Sequence, residues 1–299
     1  MFAIIAKRKA WFILSVLLVG LSVAAILRWQ LRLGIDFTGG SLLEVTFPQR
    51  PSVADVRQIV QEVSGEVSVT VQPIGEQGIM VRFPHVTQAV HQQLFDRLAK
   101  DFPGAEEQRF DAVGPTIGDE LRRKTLWAVV LAVVGMITYI SLAFRKVHRP
   151  VPSWQYGSIA ILALVHDLVI TIGIFAALGY FYGLEVNAPF VAALLTVFGY
   201  SVNDTIVVFD RVRDNLLHHP AANFDELVET SIRQTIVRST NTALPTLLTL
   251  LVILTFGGET IRDFALALII GIVIGTYSSI FVACPLLVEA QRLRHHRKH

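Results

Sequence analysis

The chain has 299 residues, of which 53% are hydrophobic and only 17% are charged, whereas soluble domains average about 25% charged residues. Its mean hydropathy of +0.53 excludes an ordinary soluble globular protein and points to a membrane protein. The net charge of +2 is small and spread along the chain, without basic runs interleaved with aromatic residues, so we expect no nucleic-acid partner.

Six segments are apolar and long enough to cross a bilayer, whose hydrocarbon core of about 30 Å needs about 20 residues of helix. They are predicted at 10–27, 125–144, 158–178, 190–209, 239–256 and 264–288. The first follows Lys7, Arg8 and Lys9, as the core of a signal peptide would. It is too long for such a core and lacks a cleavage site of small residues, so we predict a retained span.

Basic residues near the span ends predict the orientation, because short cytoplasmic loops carry an excess of Lys and Arg. With six spans, one side collects the N-terminus (1–9), the loop with Arg145, Lys146 and Arg149, the connection at 210–238 and the basic tail at 289–299. The opposite short loops, 179–189 and 257–263, hold a single basic residue, Arg262. Both termini are therefore predicted to be cytoplasmic.

Between the first two spans, residues 34–121 have the composition of a soluble domain. Alternating or β-branched residues predict strands at 41–47, 67–71, 79–83 and 108–113, with a turn at 75–78. Amphipathic helices are predicted at 52–63, which opens on the N-cap residue Ser52, and at 87–102. The order β-α-β-β-α-β is that of a ferredoxin-like α+β fold, in which both helices cover one face of a four-stranded antiparallel sheet.

Metal and disulfide chemistry find no support in the sequence. His85 and His91 have no cysteine or carboxylate cluster beside them, and we interpret both as surface or partly buried residues. Cys284, the single cysteine, falls in the last predicted span and cannot form an intrachain disulfide. We therefore expect neither a metal nor a cofactor.

Asp204 is predicted well inside the fourth span, about 21 Å of helix rise from its start. Gly199, Tyr200, Asn203 and Asp204 fall on one side of this helix at i, i+3 and i+4 spacing. An ionisable residue in a span costs about 2.5 to 3.5 kcal/mol on insertion scales, so it usually faces a cavity and marks a pathway. The alternative is a carboxylate that only fixes helix packing, a task for which Ser or Asn would serve.

Arg238 begins the predicted fifth span, where its long side chain can reach the depth of Asp204. Alone it could equally extend to the inner headgroups; beside Asp204 we predict an ion pair. Pro245 lies seven residues further on and removes the N–H that would bond the carbonyl of Asn241. The segment 239–242 is then polar enough to hold water, and a helix kink at the proline is compatible with this.

Two further features lie in the third and sixth spans. His166 and Asp167 are adjacent, and adjacent helical residues point about 100 degrees apart, so they do not form a metal site together. A proton-relay role and a hydrogen-bonded interhelical polar pair both stay open for them. Gly271 and Gly275, continuing to Ser279, place small residues on one face, which predicts close helix packing rather than chemistry.

Four stretches of the chain form a distinctive set of motifs, namely LGIDFTGG (33–40), GYSVNDTIVVFDRVRDN (199–215), SIRQTIVRSTNT (231–242) and RDFALALIIGIVIGTYSSIFVA (262–283). These stretches closely resemble the SecF branch of the SecD/SecF family of protein-export membrane proteins. They fall in the expected order, and the resemblance covers essentially the whole chain. It implies a six-span bundle similar to half of a resistance-nodulation-division transporter, in the bacterial cytoplasmic (inner) membrane, with a ferredoxin-like domain on the outer side.

The resemblance also implies partners and site residues. Such proteins pair with SecD beside the SecYEG channel, with a YajC-like accessory subunit, and use the proton-motive force to promote export of unfolded polypeptides. They are not enzymes and need no cofactor, and the coupling ion is H⁺ or Na⁺. The family's functional carboxylate corresponds to Asp204 and its arginine to Arg238, and the supporting polar residues are Asn203, Asn241, Asp167 and Asp36. Asp36 is expected to cap the turn beside Gly39 and Gly40.

The mechanistic hypothesis is that protonation of Asp204 releases Arg238 and lets two helices shift. A proton crossing 100 mV yields about 2.3 kcal/mol, comparable to the coupling of about 1 to 3 kcal/mol between allosteric sites. The sheet of the external domain would then bind an emerging polypeptide by strand addition or apolar contact.

Three other functions are alternatives. A resistance-nodulation-division-type exporter of small molecules or lipids would require a larger external cleft to bind its substrate. A structural assembly factor would not require Asp204 to change its protonation state. An intramembrane hydrolase would need a motif such as H-E-x-x-H or G-x-S-x-G, which the sequence lacks.

Overall fold

The computed structural model of the chain describes residues 4–66, 68–143, 152–218 and 223–296. The chain divides into two compact units. Met1–Arg32 and Ala128–His299 form the helical unit, and Leu33–Trp127 form the sheet unit. Parts of the predicted second strand, second span, cytoplasmic loop and C-terminal tail lie outside the described residues, namely Val67, Phe144, Arg145, Lys146, Arg149 and 297–299.

Long apolar helices make up the helical unit. They are α1 (Arg8–Trp29), α5 (Pro115–Ala143), α6 (Ser153–Tyr182), α7 (Ala188–His218), α8 (Phe224–Phe256) and α9 (Glu259–Ser278), the last continuing through a π-helical segment (Ser279–Ala283) into α10 (Cys284–His296). The first part of α5, residues 115–127, belongs to the sheet unit. Within the described ranges, six stretches are long and apolar enough to cross a membrane. The six predicted spans are therefore confirmed as helices.

Two helices extend well beyond the predicted spans. The connection predicted at 210–238 is helical over 210–218 and again from Phe224 onward. Asn223 caps the start of α8, because its side-chain oxygen accepts a hydrogen bond from the Asp225 N–H (3.1 Å), and acidic residues in the first turn favour the helix dipole. Hydropathy detects only the apolar half of such a helix. Arg238 consequently lies in the middle of α8 rather than at its start.

Glycines allow close approach of two helix pairs. A Cβ atom built on Gly271 of α9 would lie 2.2 Å from Val197 of α7, and one on Gly275 would lie 3.1 Å from Ser201. A Cβ on Gly173 of α6 would lie 2.4 Å from Ser22 of α1. The close-packed interface predicted on the sixth span is thus confirmed, and it joins α9 to α7.

The sheet unit has the predicted ferredoxin-like topology. After the one-turn helix α2 (Ile35–Thr38), its elements are β1 (Gly40–Thr46), α3 (Val53–Ser64), β2 (Thr70–Ile74), β3 (Gly78–Phe83), α4 (Gln88–Asp101) and β4 (Glu106–Val113). The strands form one sheet in the order β2-β3-β1-β4, and every described pairing is antiparallel. Ser52 caps α3 as predicted, accepting from the Asp55 N–H at 3.1 Å.

The two faces of the sheet differ in chemistry. The face toward the helices carries the core, in which Leu43, Val81, Val60 and Leu98 are almost completely buried. The opposite face carries charges, since Arg109 pairs with Asp111 and lies 4.0 Å from Glu44.

Two local predictions in this unit are corrected. The second strand spans Thr70–Ile74 instead of 67–71, because a turn at 75–77 fixes the register that pairs Ile74 with Gly78. Pro73 is tolerated there because β2 is an edge strand. His91 is buried, with Nε2 2.9 Å from Glu107 Oε2 and its ring stacked on Phe110, so this histidine joins α4 to β4.

Candidate functional site

Asp204 lies on the buried face of α7, inside the helical unit. Only 9% of its surface is exposed. Ser239 of α8 donates a hydrogen bond of 2.8 Å from Oγ to Asp204 Oδ1. This bond connects the two helices across the interior of the unit, so the carboxyl group is positioned where a change in its charge acts on both.

Arg238 does not make the predicted contact with Asp204 in this structure. Among the described residues, no ion pair joins the two. The side chain of Arg238 is exposed and lines a cavity of about 510 Å³ together with Asp210, Asp214 and Gln234. The reason is helical geometry: Ser239 occupies the position facing Asp204, and the preceding residue projects about 100 degrees away. Arg238 is nevertheless near enough for its charge to act on Asp204.

The polar stripe predicted around Asp204 separates into two sides. Asn203 and Asn241 are both exposed at the surface of the chain and do not join the carboxyl group. Tyr200 instead contacts α8, with its hydroxyl 2.6 Å from Thr246 Oγ1. Pro245 lies within the continuous helix α8. The structure therefore brings Asp204 together with Ser239 and leaves the two asparagines on the outside.

Asp167 of α6 is the more deeply buried acid, with 0% of its surface exposed. Its Oδ2 accepts hydrogen bonds from Ser201 of α7 (2.5 Å) and Ser278 of α9 (2.8 Å). Its Oδ1 lies 2.9 Å from Nδ1 of the adjacent His166. The interhelical polar alternative is therefore confirmed for Asp167, and the proton-relay role stays a prediction.

Ser201 and Ser278 were not singled out from the sequence, although each left a signal. Ser201 lies three residues before Asp204, and Ser278 is next to Ser279 in the row of small residues on the sixth span. That row is more than a packing surface. Ser279 Oγ donates to the Gly275 carbonyl at 2.7 Å, and Thr205 Oγ1 lies 3.4 Å from Ser279 Oγ.

A π-helical segment begins directly after Ser278. It spans Ser279–Ala283, and Cys284 Sγ donates to the Ser279 carbonyl at 3.2 Å. Such π-helical interruptions of α-helices are rare in proteins overall. Those that occur are frequently found at functional sites. No sequence pattern in this stretch of small and apolar residues would have revealed it.

Asp36 belongs to the sheet unit, where it is partly buried in the first turn of α2. Gly39 N donates to the Ile35 carbonyl (2.8 Å) and Thr38 Oγ1 donates to the Gly34 carbonyl (3.1 Å), which closes this turn. Gly39 has a φ of +70°, and a Cβ there would lie 3.0 Å from the Pro115 backbone. Glycine at this position is therefore a requirement of the turn.

The chemistry available to the helical unit is ion uptake by carboxyl groups. Across the part of the chain that the structure describes, no group of three or more His, Cys, Asp and Glu residues could hold a metal ion. The two interior acids, Asp204 and Asp167, are each held by serine hydroxyls from a neighbouring helix. Hydroxyl donors hold a charged carboxylate more strongly than a neutral one, so proton binding changes the attraction between helices.

Comparison with known proteins gives two family matches. Residues 93–293 match the family described as "Protein export membrane protein SecD/SecF, C-terminal". Residues 30–47 match the "SecD/SecF GG Motif", which contains the turn at Gly39 and Gly40. The two matches together span both units of the chain.

Individual relatives are similar over nearly the full length. A protein translocase subunit SecF of Thermobaculum terrenum is 42% identical over 300 residues, covering 97% of this chain and 94% of the relative. One from Anaerolinea thermophila is 40% identical, covering 96% and 94%. The crystal structure of SecDF from Thermus thermophilus, described as a translocon-associated membrane protein, matches with a TM-score of 0.84 at 34% identity. The match covers 96% of this chain but only 38% of the longer SecDF chain.

Proposed function

Because the chain belongs to the SecD/SecF family of protein-export membrane proteins, we propose that it works as a SecF-type subunit of the Sec translocase. In this role it uses the proton-motive force to promote export of unfolded polypeptides across the bacterial cytoplasmic membrane. Its termini lie in the cytoplasm and its sheet unit on the opposite side. The basic residues collected near one set of helix ends support this orientation.

One observation carries the energy-coupling part of the proposal. Asp204 is a buried carboxyl group in a helix that is apolar enough to cross the membrane. It bonds to a second such helix through Ser239. A carboxyl group in this place takes up a proton from one side and releases it to the other only if the helices around it rearrange. The helix-to-helix bond gives that rearrangement a physical origin.

Arg238 supplies the counter-charge in this mechanism. When Asp204 is ionised, it attracts both the Ser239 hydroxyl and the positive charge of Arg238, which acts on it from the cavity. When Asp204 is protonated, this attraction falls and α7 and α8 can separate. One proton crossing 100 mV supplies about 2.3 kcal/mol, enough to bias two conformations of similar energy.

The partners follow from the family. The match covers 38% and 40% of the two SecDF chains. We propose that this chain works together with SecD, beside SecYEG and with a YajC-like accessory subunit. The exported polypeptide would meet the sheet unit at the edge strand β4, which is longer than β2 and lacks its proline.

A small-molecule or lipid exporter is the alternative proposal, and nothing in the sheet unit favours it. As far as the structure describes this unit, it is one four-stranded sheet with α3 and α4, and the described residues form no second subdomain that could enclose a substrate. The proton-relay chemistry would be the same in both cases, so the cargo is the point on which the two proposals differ.

The test is export in membrane vesicles that contain this chain, SecD and SecYEG, with pH and sodium gradients imposed separately. Translocation of an unfolded precursor should accelerate when a pH gradient is applied. Acceleration by a sodium gradient alone would show that Na⁺ is the coupling ion. If neither gradient has any effect, this chain does not couple ion flow to export.

A further inference from the structure

His166 and Asp167 form a polar pair deep in the helical unit, at the junction of three helices. Asp167 accepts hydrogen bonds from Ser201 of α7 and Ser278 of α9, and its other oxygen lies 2.9 Å from His166 Nδ1. An ionised carboxylate can only accept hydrogen bonds. In the state in which Asp167 is ionised, His166 Nδ1 therefore carries a hydrogen and donates it to Asp167.

The second nitrogen of the imidazole ring points to a ligand. His166 Nε2 is fully buried and has no hydrogen-bond partner in the described part of the structure, and the whole residue is only 8% exposed. With Nδ1 protonated, Nε2 presents a lone pair. A buried polar atom without a partner is costly, and this one presents a lone pair that can accept a proton.

We propose that His166 and Asp167 form a second proton-binding site, distinct from Asp204, that controls how α6 holds α7 and α9. The proposal rests on the ion-driven function proposed above and adds a residue pair to it. Its ligand is a hydronium ion supplied by the gradient. Histidine suits the task because its neutral ring has one nitrogen that donates and one that accepts.

The proton transfer is balanced in two steps. The hydronium ion gives a proton to His166 Nε2 and leaves as water. The imidazolium then gives its Nδ1 proton to Asp167 Oδ1. The ring ends neutral with its hydrogen on Nε2, and the carboxylate ends neutral as a carboxylic acid, so one proton has been taken up. Release follows the reverse path.

Neutralising Asp167 weakens its hold on two helices. Hydrogen bonds to an ionised acceptor are roughly twice as strong as those between neutral groups, and Asp167 accepts one from Ser201 and one from Ser278. Ser201 lies three residues before Asp204 on α7. Protonation of the pair therefore loosens the helix segment that carries Asp204.

Other groups near the pair bear on its pH response. Tyr277 of α9 stacks on the His166 ring, with centroids 6.3 Å apart, and its hydroxyl lies 3.0 Å from Ser15 of α1. Asp204 lies one turn beyond Ser201 on α7, and Cys284 follows the π-helical segment. Asp204 is the acid among these groups, and its hydrogen bond goes to Ser239 rather than to the pair.

Asparagine substitutions separate proton binding from packing. In Asp167→Asn, the amide oxygen still accepts from Ser201 and Ser278, but the group cannot bind a proton. In His166→Asn, the amide nitrogen replaces Nδ1 as a donor to Asp167, and Nε2 is lost. A structural pair would tolerate both changes, whereas a proton site would lose its function in both.

The experiment measures the rate of pH-gradient-driven export against pH in vesicles with SecD and SecYEG, for wild type and the two variants. Each variant should slow gradient-driven export by at least about tenfold, a modest loss for a group that transfers protons, and should flatten its pH profile. Infrared difference spectra between high and low pH should lose one carboxylic-acid band in Asp167→Asn. Unchanged pH profiles in both variants would overturn the proposal.

Two outcomes distinguish a failure of this inference from a failure of the proposed function. If wild type shows no gradient-driven export, the proposed function fails and the infrared band alone decides whether Asp167 binds a proton. If Asp167→Asn does not assemble, His166→Asn decides, because it leaves the carboxylate and its hydroxyl donors in place. A wild-type pH profile for that variant would refute the inference.

Discussion

Ser239 and Asp204 are joined by a hydrogen bond of 2.8 Å between α8 and α7, and both side chains are buried. Serine, rather than the neighbouring arginine, is thus the direct partner of the acid. A hydroxyl stabilises an ionised carboxyl group without neutralising it, and it donates to a protonated one less strongly. The strength of the α7–α8 contact therefore depends on the proton at Asp204.

Removing this hydroxyl should slow energy coupling. Ser239→Ala is expected to reduce gradient-driven export by roughly tenfold, because a hydrogen bond to a charged group contributes about 1.5 to 3 kcal/mol. Vesicle export with and without a pH gradient measures this. Thr240→Ala is the matched control, since the Thr240 hydroxyl is exposed and donates to the Ile236 carbonyl of its own helix. Equal rates for the two variants would argue against the Ser239 contact.

Arg238 should act through its charge rather than through a direct ion pair. Arg238→Lys is expected to keep most of the gradient-driven rate, while Arg238→Gln should lose roughly tenfold, the equivalent of about 1.4 kcal/mol of charge interaction. Arg233→Gln provides the comparison, because Arg233 pairs with Glu229 on its own helix. Were the lysine variant as slow as the glutamine variant, the planar guanidinium would be essential and a direct ion pair would have to form during the cycle.

The α7–α9 interface should not accept a methyl group at Gly271. Gly271→Ala places a Cβ 2.2 Å from Val197, and overpacking of this kind costs about 1 to 3 kcal/mol. Thermal unfolding of the purified protein in detergent should occur several degrees lower. At Gly135 of α5 a Cβ has no neighbour within 4 Å, so Gly135→Ala should leave the midpoint unchanged. A normal midpoint for Gly271→Ala would contradict the close packing.

The two long helices of the sheet unit should differ in their response to loss of the N-cap side chain. Ser52→Ala removes the bond to the Asp55 N–H and should cost about 1 kcal/mol. Thr87 caps α4 without a side-chain hydrogen bond, so Thr87→Ala should cost less. Proteolysis of the full-length protein, followed within the sheet unit, compares the two. Equal protection of both variants would contradict the described cap at Ser52.

Much of the fold followed from the sequence because each element carries its own periodic signal. The six apolar helices and the β-α-β-β-α-β order depend on patterns that are local. The second strand was misplaced because its register depends on the turn at 75–77 and on pairing with β3, where Pro73 is tolerated. That information lies in the partner strand and not in residues 67–71.

The site was harder to predict because it depends on which way a helix faces. Asp204 and Asp167 are conspicuous in the sequence because they are acids within apolar segments. The structure buries both. Ser239 and Arg238 are neighbours, and a rotation of α8 by about 100 degrees would exchange them. That rotation is set by packing between helices. The roles of Ser201 and Ser278 were hidden for the same reason, since serines are common on helix interfaces.

The most direct measurement of the central claim is gradient-driven export by Asp204→Asn in vesicles with SecD and SecYEG. Asparagine keeps the shape of the side chain and an oxygen that accepts from Ser239, but it cannot bind a proton. The variant is expected to assemble with its partners, to retain export that does not depend on the gradient, and to lose the acceleration by a pH gradient. Full acceleration in an assembled Asp204→Asn complex would contradict it.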